Sequence, residues 1–147
     1  MNRYTTSDLP DCSRHDRSDD RIGLVNTFVD RILNEHRREV LHELFAANFV
    51  DHNPVLFGDH PSGIPIQGSL TTMYTMIEAL DHPSADLTFH LEDVFAVGDR
   101  VAYRLFGSGE VEGAAVPVTL LCESVGIFRI ENAQLAERWG PVSVTPA

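Results

Sequence analysis

Lysine is absent: all 11 basic residues of the 147-residue chain are arginine. Schiff-base catalysis and the phosphate-binding lysine of a P-loop both need a primary amine, so both are excluded. Cysteine is scarce. Cys12 and Cys122 cannot build a disulfide framework or a cysteine-ligated zinc site, and both read as reduced thiols. No stretch approaches the roughly 20 apolar residues of a membrane helix, and the first residues lack the apolar core of a secretory signal. A cytoplasmic protein with no membrane partner is expected. Positive charge is short as well: a formal net charge of −11 argues against a basic surface for nucleic acid or anionic lipid.

What is present suits one globular domain. Hydrophobic content of 43% with 22% charged residues is ordinary for a chain of this length with a single core. Residues 1–20 are polar without apolar period and read as a mobile tail, leaving 21–144 as the domain. Ile22, Val25, Phe28, Val29, Ile32 and Leu33 recur at helical spacing behind Asp20, a plausible N-cap. Val40, Leu41, Leu44 and Phe45 predict a second short helix, and "NFVDHNP" a brief extended stretch stopped by Pro54. Residues 55–68 read as loop. Ser69 caps a third helix running to about Leu80. Strands follow over Leu87–Ala96, Val101–Val111, Pro117–Ile130 and Leu135–Val144, the middle two joined by a two-residue turn at Gly113–Ala114. Helices first and an antiparallel meander last predict an α+β fold. A cone-shaped curved sheet is covered by three N-terminal helices, with a pocket between its concave face and the helices.

Few motifs carry chemistry. "GSGEVEG" (Gly107 to Gly113) approximates a dinucleotide fingerprint but leads into a strand, so its glycines fit a twisted hairpin better. The histidines show no HExxH spacing, and Asp51, His52 and His60 would meet round a metal only if an unconstrained loop brought them together, so no metal is assigned. His52 closes the "FVDH" stretch, either bonded to backbone or in the pocket wall. His90 shares a strand face with Thr88 and Glu92; that face is solvent, or else it is concave and His90 is a proton donor near neutral pH.

The strand "LLCESVGIFRI" poses the sharper question, because Glu123 sits among apolar neighbours. Its own face holds Leu121, Val125 and Ile127, and the other holds Leu120, Cys122, Ser124, Gly126 and Phe128. Polarity sends Glu123 outward, yet the small residues Cys122, Ser124 and Gly126 could equally line a hollow. A two-residue turn would set Arg104 directly across from Glu123 as a structural ion pair. In a dry pocket, the same carboxyl would rise toward neutrality and act as an acid/base.

"LFAANFVDHNP", "ADLTFHLEDVFAVGDRVAYR" and "SVGIFRIENAQLAERWG" together resemble the SnoaL-like polyketide cyclase family of the nuclear-transport-factor-2-like superfamily, from about Arg21 to Trp139. The resemblance implies a homodimer and a deep, mostly apolar pocket without a metal or organic cofactor. It also implies small-molecule substrates from tailoring steps of natural-product biosynthesis. His52 matches the family's pocket histidine. Two positions depart: the acid/base aspartate four residues beyond the final-strand tryptophan falls on Ser143, and the hairpin histidine on Val111. Serine there cannot shuttle a proton without a partner base.

The expected function is therefore a cofactor-free cyclase closing a ring on a polyketide-derived intermediate. It would work by preorganisation in the apolar pocket, pericyclic closure included, with Glu123, His90 and His52 as acid/base candidates. Asn53, Tyr74, Tyr103, Arg104 and Trp139 are the substrate-contact candidates. An epoxide hydrolase or epoxide-opening enzyme of the same superfamily, and a non-catalytic small-molecule binder, stand as alternatives.

Overall fold

A computed structural model describes residues 19–53, 68–112 and 116–147. Most of the expected tail, the loop after Asn53 and the Gly113–Ala114 turn lie outside the described residues. Helix α1 spans Asp20–Thr27, and its cap is Asp19, one residue ahead of expectation. Asp19 has the extended backbone a cap needs (φ −72°, ψ 117°), and its carboxylate accepts the Arg21 N–H at 2.9 Å. Without a break the helix continues as a π-helical segment over Phe28–Asn34. A 3₁₀ turn at Arg38–Val40 leads into the short α2, Leu41–Leu44. Phe45, expected to close that helix, instead opens strand β1, Phe45–Asp51. Helix α3, Leu70–Leu80, starts at a capping box made by Ser69 and Thr72.

Strands β2 (Ala85–Val97), β3 (Arg100–Glu112) and β4 (Pro117–Glu131) form the long antiparallel part of the sheet. The last expected strand is two: β5 (Gln134–Trp139) and β6 (Val142–Pro146), separated by Gly140 and Pro141. Gly140 has φ +150°, and a Cβ there would come 2.6 Å from the Gly126 Cα, so the chain kinks where only glycine fits. Beyond the kink β6 pairs the first half of β4 while β5 pairs its second half. The six-stranded order is β1-β5-β4-β3-β2 with β6 beside β4, and β1 joins β5 in parallel. The sheet is curved and unclosed.

One face of the sheet carries the core. Val101, Tyr103, Leu105, Phe128 and Leu135 pack beneath Val25, Phe28, Ile32, Leu41 and Ile77. Phe28 meets Phe128 edge-on at 5.3 Å and Phe45 at 5.8 Å, the geometry aromatic quadrupoles favour. Among the described residues no helix is long and apolar enough to cross a membrane.

The β3–β4 register differs from expectation. Glu112 pairs Pro117, so the connection is longer than a two-residue turn and the pairing slides by two: Arg104 faces Val125, and Phe106 faces Glu123. A slide of two preserves every face, where a slide of one would invert them all.

Candidate functional site

The alternation along β4 opens a chamber. Gly107, Cys122 and Ser124 are small residues on the helix-facing side of neighbouring strands, and the space they leave is roofed by the π-helical segment and α3. A cavity of about 550 Å³ results, within the range of small-molecule sites. Phe28, Leu33, Met76 and Leu80 form its roof, and Leu87, Phe89, Leu105 and Leu120 line the sheet side. Val142 and Val144 of β6 add apolar wall, as does Val111. Phe89 occupies the room beside Gly107, where a Cβ would sit 2.5 Å from its ring. Asn34 fixes that strand: its Nδ2 donates to Phe89 O at 2.9 Å, and its Oδ1 accepts from Phe89 N at 2.8 Å. Because β2 is a sheet edge, this clamp satisfies backbone groups no neighbouring strand reaches.

Polar groups gather at the two ends. Toward the start of β2, His82 Nδ1 and Ser84 Oγ lie 2.6 Å apart, and Ser84 N donates to the same Nδ1 at 3.2 Å. At the other end Ser124, only 2% exposed, receives Arg138 Nη2 at 3.4 Å. Arg138 is buried, with Nη1 at 2.9 and 3.1 Å from the two Asp51 carboxylate oxygens and Nε 2.8 Å from the Tyr103 hydroxyl. It also donates to the carbonyls of Asn53 and Gly140. Burial alone would lower its pKa, but the Tyr103 and Asp51 oxygens outweigh burial and keep it raised and charged. Burial pushes the Cys122 thiol up, so this chamber-wall sulfur stays protonated.

The sequence-predicted residues fall mostly elsewhere. Glu123 borders the chamber between Cys122 and Ser124, yet its carboxylate turns to the other face, 3.8 Å from Arg104 Nε and half exposed. His90 is on that outer face too, stacked on Phe106 and bonded to Glu92 at 2.8 Å. His90, Phe106, Glu123 and Ser143 form one cross-strand row. His52 lies flat on Trp139 (4.8 Å, 5°), with Nε2 2.8 Å from Glu137; Trp139 pairs Ile127 of the outer face and also carries Arg100 at 4.9 Å.

Arg104 caps the Phe106 ring at 4.7 Å on that outer face. Tyr74 bonds His42 at 2.7 Å away from the chamber. Asn53 and Tyr103 are joined to the Arg138 network behind the Ser124 wall. Asp51 is held by Arg138 and His52 by Glu137, so neither is oriented for the metal weighed above, and His60 lies outside the described residues.

The arrangement is an apolar chamber on an NTF2-like α+β scaffold. The chain belongs to the SnoaL-like domain family, whose sequence profile matches residues 25–138. Solved structures of the same fold include TsrD from Streptomyces laurentii, 20% identical over 88% of this chain and 92% of that one with a TM-score of 0.66. IdmH from Streptomyces antibioticus, a proposed polyketide cyclase, is 21% identical over 84% and 91% with a TM-score of 0.64. An epoxide hydrolase of the LEH-like kind from M. tuberculosis is 12% identical over 84% and 83% with a TM-score of 0.56. No curated protein matches the chain in sequence.

Proposed function

We propose that the chain is a cofactor-free cyclase that closes a ring on a polyketide-derived intermediate of natural-product biosynthesis, acting as a cytoplasmic homodimer. The observation that carries the reading is the 550 Å³ chamber with apolar walls and polar groups confined to its ends. Such a space lowers a barrier by holding a flexible chain in a reactive conformer, and orientation of this kind contributes up to about 7–11 kcal/mol when the reacting atoms are well aligned. A pericyclic closure conserves all atoms and needs no proton from the protein, which suits walls of Leu, Phe, Met and Val. The IdmH likeness supports the same reading, and the epoxide-hydrolase likeness names its rival. Hydrolysis needs a water fixed beside the reacting carbon, and the Leu, Phe, Met and Val side chains of these walls offer it no strong hydrogen-bonding group.

The test is a linear substrate bearing a conjugated diene and an activated alkene, followed by chiral chromatography and mass spectrometry. Cyclisation yields one stereoisomer of unchanged mass. With a linear epoxide offered in parallel, a product heavier by one water would establish the hydrolase instead, and saturable binding of both compounds without product would establish a binding protein.

Exposed Phe95, Leu121, Val125 and Ile127 on the outer face support the homodimer, since apolar side chains grouped on an open sheet face favour a second copy. Val125→Glu is expected to give a monomer by sedimentation equilibrium where the wild type is a dimer.

A further inference from the structure

We infer that Ser124 is a hydrogen-bond donor to a neutral carbonyl oxygen at the inner end of the chamber, an inference that rests on the chamber being a small-molecule site. Ser124 is 2% exposed and lines the cavity. Its Oγ accepts from Arg138 Nη2 at 3.4 Å, and among the described residues this is its one side-chain hydrogen bond. A hydroxyl has one hydrogen to give, and here the oxygen is approached by a cation while that hydrogen has no acceptor among the described residues. The cation behind the oxygen draws electron density toward itself and makes the O–H a stronger donor.

Arg138 cannot take that role itself. Its Nε–H goes to Tyr103, its Nη1 hydrogens to Asp51 and the Asn53 carbonyl, and its Nη2 hydrogens to the Gly140 carbonyl and Ser124. All five donors are engaged, so Ser124 is the group through which this charge reaches the chamber.

The network also selects the ligand's charge. Asp51 balances Arg138 within the buried cluster, so no net positive charge faces the cavity, and an ionised carboxylate would lose its hydration without a counter-ion. A ketone, ester or thioester oxygen pays a far smaller desolvation cost and gains a polarised donor. The substrate class is thus an elongated, uncharged carbonyl compound rather than a free fatty acid. A carbonyl held this way is electron-poor, the state an activated alkene needs for ring closure.

Methyl nonyl ketone, isotope-labelled at the carbonyl, and decanoate are the probes. The wild-type protein is expected to bind the ketone with its carbonyl infrared band moved to lower frequency than in hexane, and to bind decanoate far more weakly. Ser124→Ala should return the band toward its hexane position and weaken ketone binding about fivefold. A hexane-like band in the wild type, or the same band and affinity in both proteins, would overturn the Ser124 assignment while leaving the chamber reading intact. Decanoate binding as tight as the ketone would overturn the charge selection. Failure of the ketone to bind the wild type would overturn both the Ser124 assignment and the chamber reading. Should Ser124→Ala not fold, Ser124→Cys, a weaker donor at the same position, should return the band partway, and an unmoved band there would overturn the assignment.

Discussion

Asp51 and Arg138 are register partners on the parallel strands β1 and β5, and only 5% and 6% of their side chains are exposed. Removing one partner of such a pair strands a charge in the interior. Asp51→Ala is expected to cost about 3–5 kcal/mol, read from urea unfolding. Pairing it with Arg138→Met should recover much of that loss, because the orphaned charge goes too. A single-variant loss under about 1 kcal/mol would show the guanidinium finds water or another acceptor.

Glu123 and Arg104 illustrate the opposite regime. They meet on a diagonal at 3.8 Å with roughly half of each side chain exposed, and Asp93 shares the same arginine at 3.5 Å. Where the outer face is open to solvent, as in the Val125→Glu monomer, solvent screens such a pair, so Glu123→Gln in that background should change stability by less than about 1 kcal/mol. Ring-closure rates should also be unchanged, since the carboxylate lies on the face away from the chamber. A rate loss of tenfold or more would place this carboxylate in the reaction.

Two readings of one strand prove compatible. The polarity of β4 sends Glu123 outward, and Cys122 and Ser124 do line a hollow on the opposite face from the glutamate, while the room beside Gly126 is filled by Tyr103 and the Trp139 carbonyl. Local rules carried this far: the Ser69 cap, the helical spacing from Ile22 to Leu33 and the period-two strands are all written in neighbouring residues. What local rules could not supply is long-range. β1 pairs β5 across more than 80 residues, as the Asp51–Arg138 bonds (87 residues apart) require, and an arginine between Glu137 and Trp139 looks solvent-facing until that partner is known. The β3–β4 register depended on a loop length that composition does not determine. Family likeness points His52 toward the pocket, but Trp139 offers it a flat aromatic face on the other side. Nothing next to Ser124 in the sequence marks it as a donor, because its cation arrives from a different strand.

Glu137 sets a pH dependence. Arg129 Nε donates to its carboxylate at 2.8 Å, and His52 bonds its other oxygen at 2.8 Å; Arg129 first and His52 second hold the carboxyl below its usual range. A carboxyl depressed in the folded state stabilises that state above the unfolded value of about 4.3. The contribution disappears as pH falls through the lower folded value. Glu137→Gln should therefore lower Tm at neutral pH, and the gap to wild type should close on acidification below about pH 4. A gap independent of pH would mean that packing, not charge, is what the variant loses.

Asn34 and Phe89 give the most direct handle on the chamber's shape. The asparagine amide completes both free backbone groups of Phe89 at 2.8 and 2.9 Å, as a neighbouring strand would, and so seats the Phe89 ring over Gly107. Asn34→Ala leaves an N–H and a carbonyl of a part-buried edge unpaired, a cost of about 1–3 kcal/mol. Because the Phe89 N–H is directed to Asn34 and not to β3, its hydrogen exchange should accelerate sharply in the variant while amides at the centre of β3 keep their protection. Asn34→Asp can still accept from that N–H but cannot donate to the carbonyl, so it should preserve Phe89 amide protection and yet lose stability. A Phe89 amide equally protected in wild type and Asn34→Ala would show that something other than this side chain shields the edge, and that the chamber wall at Phe89 is held by packing alone.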